Sequence, residues 1–263
     1  MSVTTQKHPR DCDLDALSRI GSLACFSASG LSELAEALEV RNFRRHEVIC
    51  GESGLASEEH ILLAGIASVT CANSHRERVT VALLAPGPIP EFPALPSSQY
   101  RFQCEAYGDC RVGAISWQRF NEISPTASQM AMRIFHQSNL KHWYRLLLRG
   151  SSFLNLDLHE RLRIALLDLC ADFGIEDSRG ILLRVSLSHK DLANLVGASR
   201  PRVTEQLARL ERERLVIRQG RQLVVRVGQL RCQMNGRLMQ AKSLQIFDLP
   251  RRRKDEIAVV SNT

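Results

Sequence analysis

The stretch that most narrows what this chain can fold into runs from Leu187 to Arg226, LSHKDLANLVGASRPRVTEQLARLERERLVIRQGRQLVVR. Ser188-His189-Lys190-Asp191 reads as a helix start, because the serine hydroxyl satisfies an otherwise unpaired N–H and an acid in the first turn suits the helix dipole. Leu192, Leu195 and Val196 make one apolar side, and Gly197 supplies the left-handed residue that ends the helix. Ser199 is placed to cap a second helix, where Pro201 is tolerated because its position needs no N–H. In that helix Val203, Leu207 and Leu210 stand three and four apart and face a core. The open arc then carries Arg200, Arg202, Glu205, Gln206 and Arg209, with Thr204 among them. Val216–Gln219 and Gln222–Val225 flank Gly220-Arg221, which reads as a hairpin with Arg218 and Arg221 near its tip.

Helix, glycine turn, helix and hairpin, in that order, make a winged helix-turn-helix, a device that lays its second helix in the major groove of DNA. The N-terminal part of such a helix meets base edges, and arginine pairs bidentately with guanine O6 and N7. Arg200 and Arg202 are therefore assigned to base or phosphate contact. Glu205 is suited to accept from cytosine N4 or to orient an arginine, and Arg209, Arg218 and Arg221 to meet phosphate. Ser199, Thr204 and Gln206 complete the expected contact set. One amphipathic helix with a charged face would signify only solvation; it is the four-part succession that points to DNA. The formal net charge of +7 suits a polyanionic partner.

At 263 residues the chain has room for two compact domains. Residues 1–12 are polar and read as a loose arm, followed by helical signals at Leu14, Leu17 and Ile20, then at Leu31, Leu34, Ala35 and Leu38 after Ser29-Gly30. From Val40 to about Ile115 short apolar runs alternate with turn residues: Glu47–Cys50, His60–Leu63, Ala67–Cys71, Val79–Leu84 and Arg111–Ile115. That spacing predicts a β-sandwich or barrel, with turns at Ala64-Gly65 and Pro86-Gly87-Pro88. Trp117 to about Gly150 reads as one long helix with Met132, His136, Leu140, Trp143 and Leu147 on a face and Met130 and Ile134 beside it. So wide an apolar arc predicts packing on its own barrel and on the same helix of a second subunit. Leu158–Phe173 is amphipathic through Leu162, Ala165, Leu166 and Leu169, and is stopped by Gly174. Ile181–Leu187 reads as a strand and Gln229–Ala241 as a last helix; the Arg251-Arg252-Arg253-Lys254 run reads as a solvated tail.

In this order of parts the sequence resembles the CRP/FNR family of bacterial transcription regulators, most strongly over GASRPRVTEQLARLERERLVIRQGRQLVV. The resemblance implies an α+β chain: an N-terminal β-roll of the double-stranded β-helix or jelly-roll type, a long dimerisation helix, and a C-terminal winged helix-turn-helix. It divides the chain into an N-terminal arm and helix (1–28), a cyclic-nucleotide-binding-like effector domain (29–116), the dimerisation helix (117–152), the DNA-binding domain (153–228) and a C-terminal helix and tail (229–263). Arg200 occupies a family position that reads guanine. The next position, usually Glu, is Pro201, and another base-contacting position, often arginine, is Glu205, so the target sequence departs from the usual half-site. Cyclic-AMP-binding members hold the ribose and phosphate with a Gly-Glu pair and, ten residues on, an Arg-Ser pair. Here those stretches are Pro90-Glu91-Phe92 and Arg101-Phe102. Glu91 and Arg101 remain, but Pro90 and Pro93 have no N–H to donate and a hydroxyl has become Phe102. The two hydroxyl residues that touch adenine fall on Leu146 and Leu147. The resemblance therefore implies an effector pocket at Glu91, Arg101, Leu146 and Leu147 that disfavours cyclic AMP and suits an apolar effector or none.

Iron–sulfur members of the family carry a cysteine-rich N-terminal stretch and one cysteine at the end of the roll. Cys25 and Cys110 lie near two of those positions, yet upstream only Cys12 stands where a close pair is needed, so a four-iron four-sulfur cluster is disfavoured. Haem stays open, with Cys71, His75 and His136 as ligand types but no diagnostic motif, and so does a thiol switch among the eight cysteines. The plainer reading of each is a core thiol or a histidine satisfied on its helix. No CxxC pair occurs, and no apolar run approaches the ~20 residues of a membrane span or forms a secretory signal. A cytoplasmic chain with reduced thiols is expected. No P-loop, nucleophile elbow, HExxH or paired-carboxylate scaffold supports an enzyme. The expected partners are double-stranded DNA, a second copy of the chain and RNA polymerase. The rival reading is a haem- or thiol-based redox, gas-sensing or ligand-binding module with reduced DNA specificity.

Overall fold

The computed structural model describes residues 9–24, 26–51, 58–72, 78–90, 92, 101–123, 137, 140, 143, 144, 147, 155–220 and 222–232, with side chains from Asp13 onward. The chain divides into two compact units, Met1–Leu147 and Leu148–Thr263.

In the first unit, α1 (Pro9–Ser18), a 3-10 turn (Gly21–Leu23) and α2 (Ala28–Ala37) precede eight strands: β1 (Glu39–Phe43), β2 (Val48–Gly51), β3 (Glu58–Ala64), β4 (Ala67–Ala72), β5 (Arg78–Leu84), β6 (Gly87–Pro88), β7 (Arg101–Ala106) and β8 (Cys110–Ser116). A helix, α3 (Trp117–Ile123), follows directly. The strands form two antiparallel sheets, ordered β1-β8-β3-β6 and β2-β7-β4-β5. Leu62 and Val112 of the first sheet meet Val69 and Cys104 of the second in one core. On its other face the first sheet sends Ile61, Leu63 and Ile115 into a second core with Leu17, Leu23 and Leu34 of the N-terminal segments and Phe120 and Ile123 of α3. Burial on both faces explains why Ile61-Leu62-Leu63 is continuously apolar where a half-exposed strand would alternate. Asp13 of α1 forms an ion pair with Arg111 of β8. The turn between β3 and β4 requires Gly65: its φ is +89°, and a Cβ would lie 2.3 Å from the Asp109 carbonyl oxygen.

Two expectations change here. Residues 9–12 are helical, not a loose arm, because the helix anchored by buried Leu17 extends back to Pro9, a residue suited to a first turn. β1, β6 and β7 have no counterpart in the sequence reading. β1 is the polar run EVRNF at a sheet edge, paired with β8 alone, and β7 hides its alternation by burying Glu105 as well as Cys104 and Ala106. Of the expected long helix, residues 117–123 form α3, and Gln137, Leu140, Trp143, Tyr144 and Leu147 are helical; residues 124–136, with Met130, Met132, Ile134 and His136, and also Leu146, lie outside the described residues.

The second unit runs α4 (Leu158–Phe173), β9 (Gly174–Asp177), β10 (Gly180–Leu183), α5 (His189–Val196), α6 (Arg200–Arg212), β11 (Val216–Gln219), β12 (Gln222–Val225) and α7 (Val227–Cys232). Its sheet is ordered β11-β12-β10-β9. Asp157 caps α4 by accepting the Glu160 N–H at 2.9 Å. Gly174 ends α4 not through a left-handed turn, since its φ is −82°, but by close approach. A Cβ there would sit 2.2 Å from the Cys170 carbonyl oxygen and 2.4 Å from Ile181 Cγ2, so only glycine lets the chain turn straight into β9. The expected strand to Leu187 stops at Leu183; Val185 and Leu187 are buried beyond the ladder. The last helix begins two residues early, at Val227, and the remainder of that expectation lies outside the described residues.

Candidate nucleic-acid interface and effector site

The first helix of the reading unit, α5, opens on a complete capping box. Asp191 N–H donates to Ser188 Oγ at 3.1 Å, and Ser188 N–H donates back to Asp191 Oδ2 at 2.8 Å. Gly197 follows at φ 59° and ψ 51°, the left-handed position the sequence demanded. Ser199 is the N-cap residue of α6, but its hydroxyl makes no capping bond, a correction to its expected role. Pro201 sits in the first turn. Val203, Leu207 and Leu210 are completely or almost completely buried, and this anchored stripe fixes which arc of α6 faces outward.

On that arc Arg200, Arg202, Glu205 and Arg209 are exposed. Among the described residues neither Arg200 nor Arg202 has an ion-pair partner, whereas Arg209 is held by Glu213 at 2.9 Å. Thr204 is exposed, yet its hydroxyl donates to the Arg200 carbonyl at 3.0 Å and meets His189 Nδ1 at 2.8 Å. Gln206 is where the geometry departs from the reading of an open arc. Its amide oxygen lies 3.0 Å from Nδ1 of His159, a nearly buried residue of α4, so it ties the recognition helix to the helix behind it. Glu213 completes that attachment, 3.6 Å from His159 Nε2 and 3.5 Å from Arg163 Nη2. Sequence reasoning had no means of finding His159 and Glu213, since His159 and Gln206 lie 47 residues apart.

Burial pushes the His159 imidazole below its ordinary pKa, the charges of Arg163 and Arg209 add to this, and Gln206 and Glu213 oppose it. His189 is lowered in the same direction by burial and by Arg218 and Arg200. Burial raises the Glu213 carboxyl, but the Arg209 hydrogen bond and the charges of His159, Arg209 and Arg163 reverse that and leave it lowered. The hairpin forms as expected around Gly220 at φ +61°. Arg218 is paired with Glu211 at 2.8 Å, and Arg221 lies outside the described residues.

At the expected effector site, Glu91 and Leu146 lie outside the described residues. Arg101 is exposed at the start of β7, and Leu147 is 72% exposed. What the structure brings together is aromatic. Phe92, 2% exposed, stacks on Phe102 with ring centres 6.1 Å apart and planes 10° from parallel, and meets Trp143 edge-on at 5.7 Å. This trio packs on the core between the sheets, beside Ile89, Val69 and Cys104. Phe102 was noted as a lost hydroxyl; Phe92 and Trp143 as its companions were not.

Of the metal candidates, Cys25, His75 and His136 lie outside the described residues, as does the side chain of Cys12. Cys110 donates its thiol to the carbonyls of Ile66 at 3.0 Å and Gly108 at 3.3 Å, and burial, against those bonds, raises its pKa. Among the described residues no three His, Cys, Asp or Glu side chains cluster as a metal site, and no helix is long and apolar enough to cross a membrane.

A two-sheet antiparallel domain backed by helices, followed in the same chain by a winged helix-turn-helix with an arginine-bearing second helix, defines a DNA-binding regulator with a ligand-type domain. The family model of the cyclic nucleotide-binding domain matches residues 40–126, and that of the Crp-like helix-turn-helix domain matches residues 160–232. The chain belongs to the CRP/FNR family of transcription regulators, whose members are not enzymes. The global nitrogen regulator of Synechococcus elongatus is 23% identical over 182 residues, covering 68% of this chain and 82% of that protein. Among solved structures, FixK2 from Bradyrhizobium japonicum superposes with a TM-score of 0.58 at 19% identity, covering 74% of this chain and 96% of that one. A cyclic nucleotide-binding domain containing protein from Listeria monocytogenes gives a TM-score of 0.60 at 17% identity, over 72% and 90% of the two chains.

Proposed function

We propose that the protein is a homodimeric, sequence-specific DNA-binding regulator in which α6 reads the major groove and the effector domain needs no cyclic nucleotide. The observation that carries this reading is the pair Arg200 and Arg202, exposed and without ion-pair partners among the described residues, on the first turn of a helix whose opposite stripe is buried. Two such helices in a two-fold dimer would meet half-sites about 34 Å, one helical turn, apart. Leu140 and Leu147, 64% and 72% exposed on the same helical face, are apolar surface suited to a second copy of the chain. RNA polymerase in the cytoplasm is the further partner expected of such a regulator.

The aromatic trio is the support for a nucleotide-independent effector domain. Phe92 and Phe102 flank the positions that would have to hydrogen-bond a ribose and a phosphate, and a polar ligand brought against them leaves its own groups unpaired. Cyclic AMP and a four-iron four-sulfur cluster are not part of the proposal. The DNA-reading half is tested by combining Arg200→Ala with Arg202→Ala and measuring binding to a selected duplex against random duplex at fixed salt. Each bidentate arginine–guanine contact discriminates by ~1–3 kcal/mol, so losing two should lower the selectivity ratio about thirtyfold or more. An unchanged ratio would sink the reading.

A further inference from the structure

Two thiols of the effector domain face one another across a strand pair. β2 lies at the edge of its sheet and pairs only with β7, and in that ladder Cys50 stands directly opposite Cys104. The register shifts between Val48 and Cys50, and Cys50 and Cys104 are aligned immediately after the irregularity. Residues directly opposite in an antiparallel pair have Cα atoms about 4.5–5.5 Å apart. A disulfide needs about 4.4–6.8 Å. The two side chains are on one face of the sheet, both packed on the core that holds Phe92 and Phe102, and their thiols are in hydrogen-bonding contact. Exposure differs between them in a useful way: Cys104 is fully buried and Cys50 only partly buried, so Cys50 is the residue that a small oxidant reaches more readily.

We propose that Cys50 and Cys104 form a reversible intrachain disulfide, making the β2–β7 ladder a redox-sensitive site of the effector domain. With a peroxide as oxidant the step balances as follows. The Cys50 thiolate attacks one peroxide oxygen, the O–O bond breaks, and hydroxide leaves Cys50 as a sulfenic acid. The Cys104 sulfur then attacks the Cys50 sulfur, the S–O bond breaks with loss of water, and the S–S bond forms. Two thiols are oxidised by two electrons, and one peroxide is reduced to two waters. The lesser burial of Cys50 assigns it the first attack, in keeping with the hydrogen bond to Cys50, the burial and the neighbouring Cys110 and Glu105 that hold the Cys104 thiol well above its ordinary pKa. Cys110 is a poorer resolving thiol, since its proton is already given to two backbone carbonyls. The disulfide would tie an edge strand to its neighbour directly beside Phe102, the aromatic residue next along β7 on the same face.

The chemical claim stands independently of the DNA-reading proposal and is tested on the full chain. Protein reduced under anaerobic conditions is treated with hydrogen peroxide, blocked with an alkylating reagent and digested after Arg, Lys and Glu without reduction. Cleavage after glutamate separates Cys50, in residues 48–52, from Cys71, and Cys104, in residues 102–105, from Cys110. The expected product is these two peptides joined, lighter than their sum by two hydrogens, lost on treatment with dithiothreitol and absent from Cys50→Ser. Cys50 recovered as sulfenic or sulfinic acid with Cys104 alkylated, or Cys104 joined to Cys110 or to another chain, would overturn the proposal. Selective DNA binding before and after oxidation then shows whether the strap reaches the reader. A failure there, with the joined peptides present, would count against coupling and leave the site in place.

Discussion

The two halves of this regulator hold their functional side chains in different ways. In the DNA-reading unit the folding framework is satisfied: a capping box at Ser188, a left-handed Gly197, a buried stripe of Val203, Leu207 and Leu210, and Arg200 and Arg202 facing out, although Pro201 and Glu205 stand where the family resemblance expects other residues. In the effector domain the two-sheet frame is intact, and on the proposed reading stacked rings, Phe92 on Phe102 with Trp143 at the edge, stand in place of the family's hydrogen-bonding groups. The difference teaches that a frame and its ligand chemistry are held by different residues. Most of the frame rests on the apolar strands between the sheets and under α1–α3, and the aromatic trio adds to the core between the sheets. The site rests on a few polar atoms, which single substitutions remove.

That contrast can be broken at several points. The largest stability effect is expected from Phe92→Ala. Deleting a buried ring costs about 3–5 kcal/mol, read as a fall in the melting temperature. The hole should still not accept cyclic AMP, because no hydroxyl is restored; saturable binding of the nucleotide to this variant would show that the rings alone had excluded it. Next comes Gln206→Ala, which should lower stability by ~1–3 kcal/mol by leaving Nδ1 of His159 without its partner. The preferred DNA sequence should stay the same in a duplex selection, and a changed preference would put Gln206 back among the base-reading residues. The smallest effect concerns pH. The unfolded chain takes up a proton on histidine near 6.5, while burial holds His159 and His189 below that value in the fold. Their contribution to stability is therefore full above about 6.5 and falls as pH drops through that value toward the lower folded pKa. Denaturant midpoints between pH 8 and pH 5, taken as about one and a half units either side of the ordinary value, should decline less steeply in His159→Gln than in the parent.

Legibility in the sequence followed the range of the contacts. Capping boxes, glycine turns and three-and-four spacing are local, so α5, α6 and the hairpin were readable residue by residue, and α4 was readable to its ends. Strands with alternating or continuous apolar runs were readable too. β1 and β7 were not, because one is a polar edge and the other buries a glutamate held by Thr70 and Arg78. Gln206 shows the same kind of limit: helical periodicity places it on the outer arc, and only the contact with His159 of another helix shows its amide turned inward. Phe102 was readable as a loss, but Phe92, which stacks on it from ten residues before, and Trp143, which meets Phe92 edge-on from a later helix, were not.

The measurement that tests the account most directly is duplex selection from a random library by the full chain, run in parallel with and without cyclic AMP at one salt concentration. The account predicts that a two-fold symmetric motif is enriched in both arms, to the same extent and with the same half-site spacing. Enrichment only in the arm with cyclic AMP would contradict the claim about the effector domain, and enrichment in neither arm would contradict the claim about the reader.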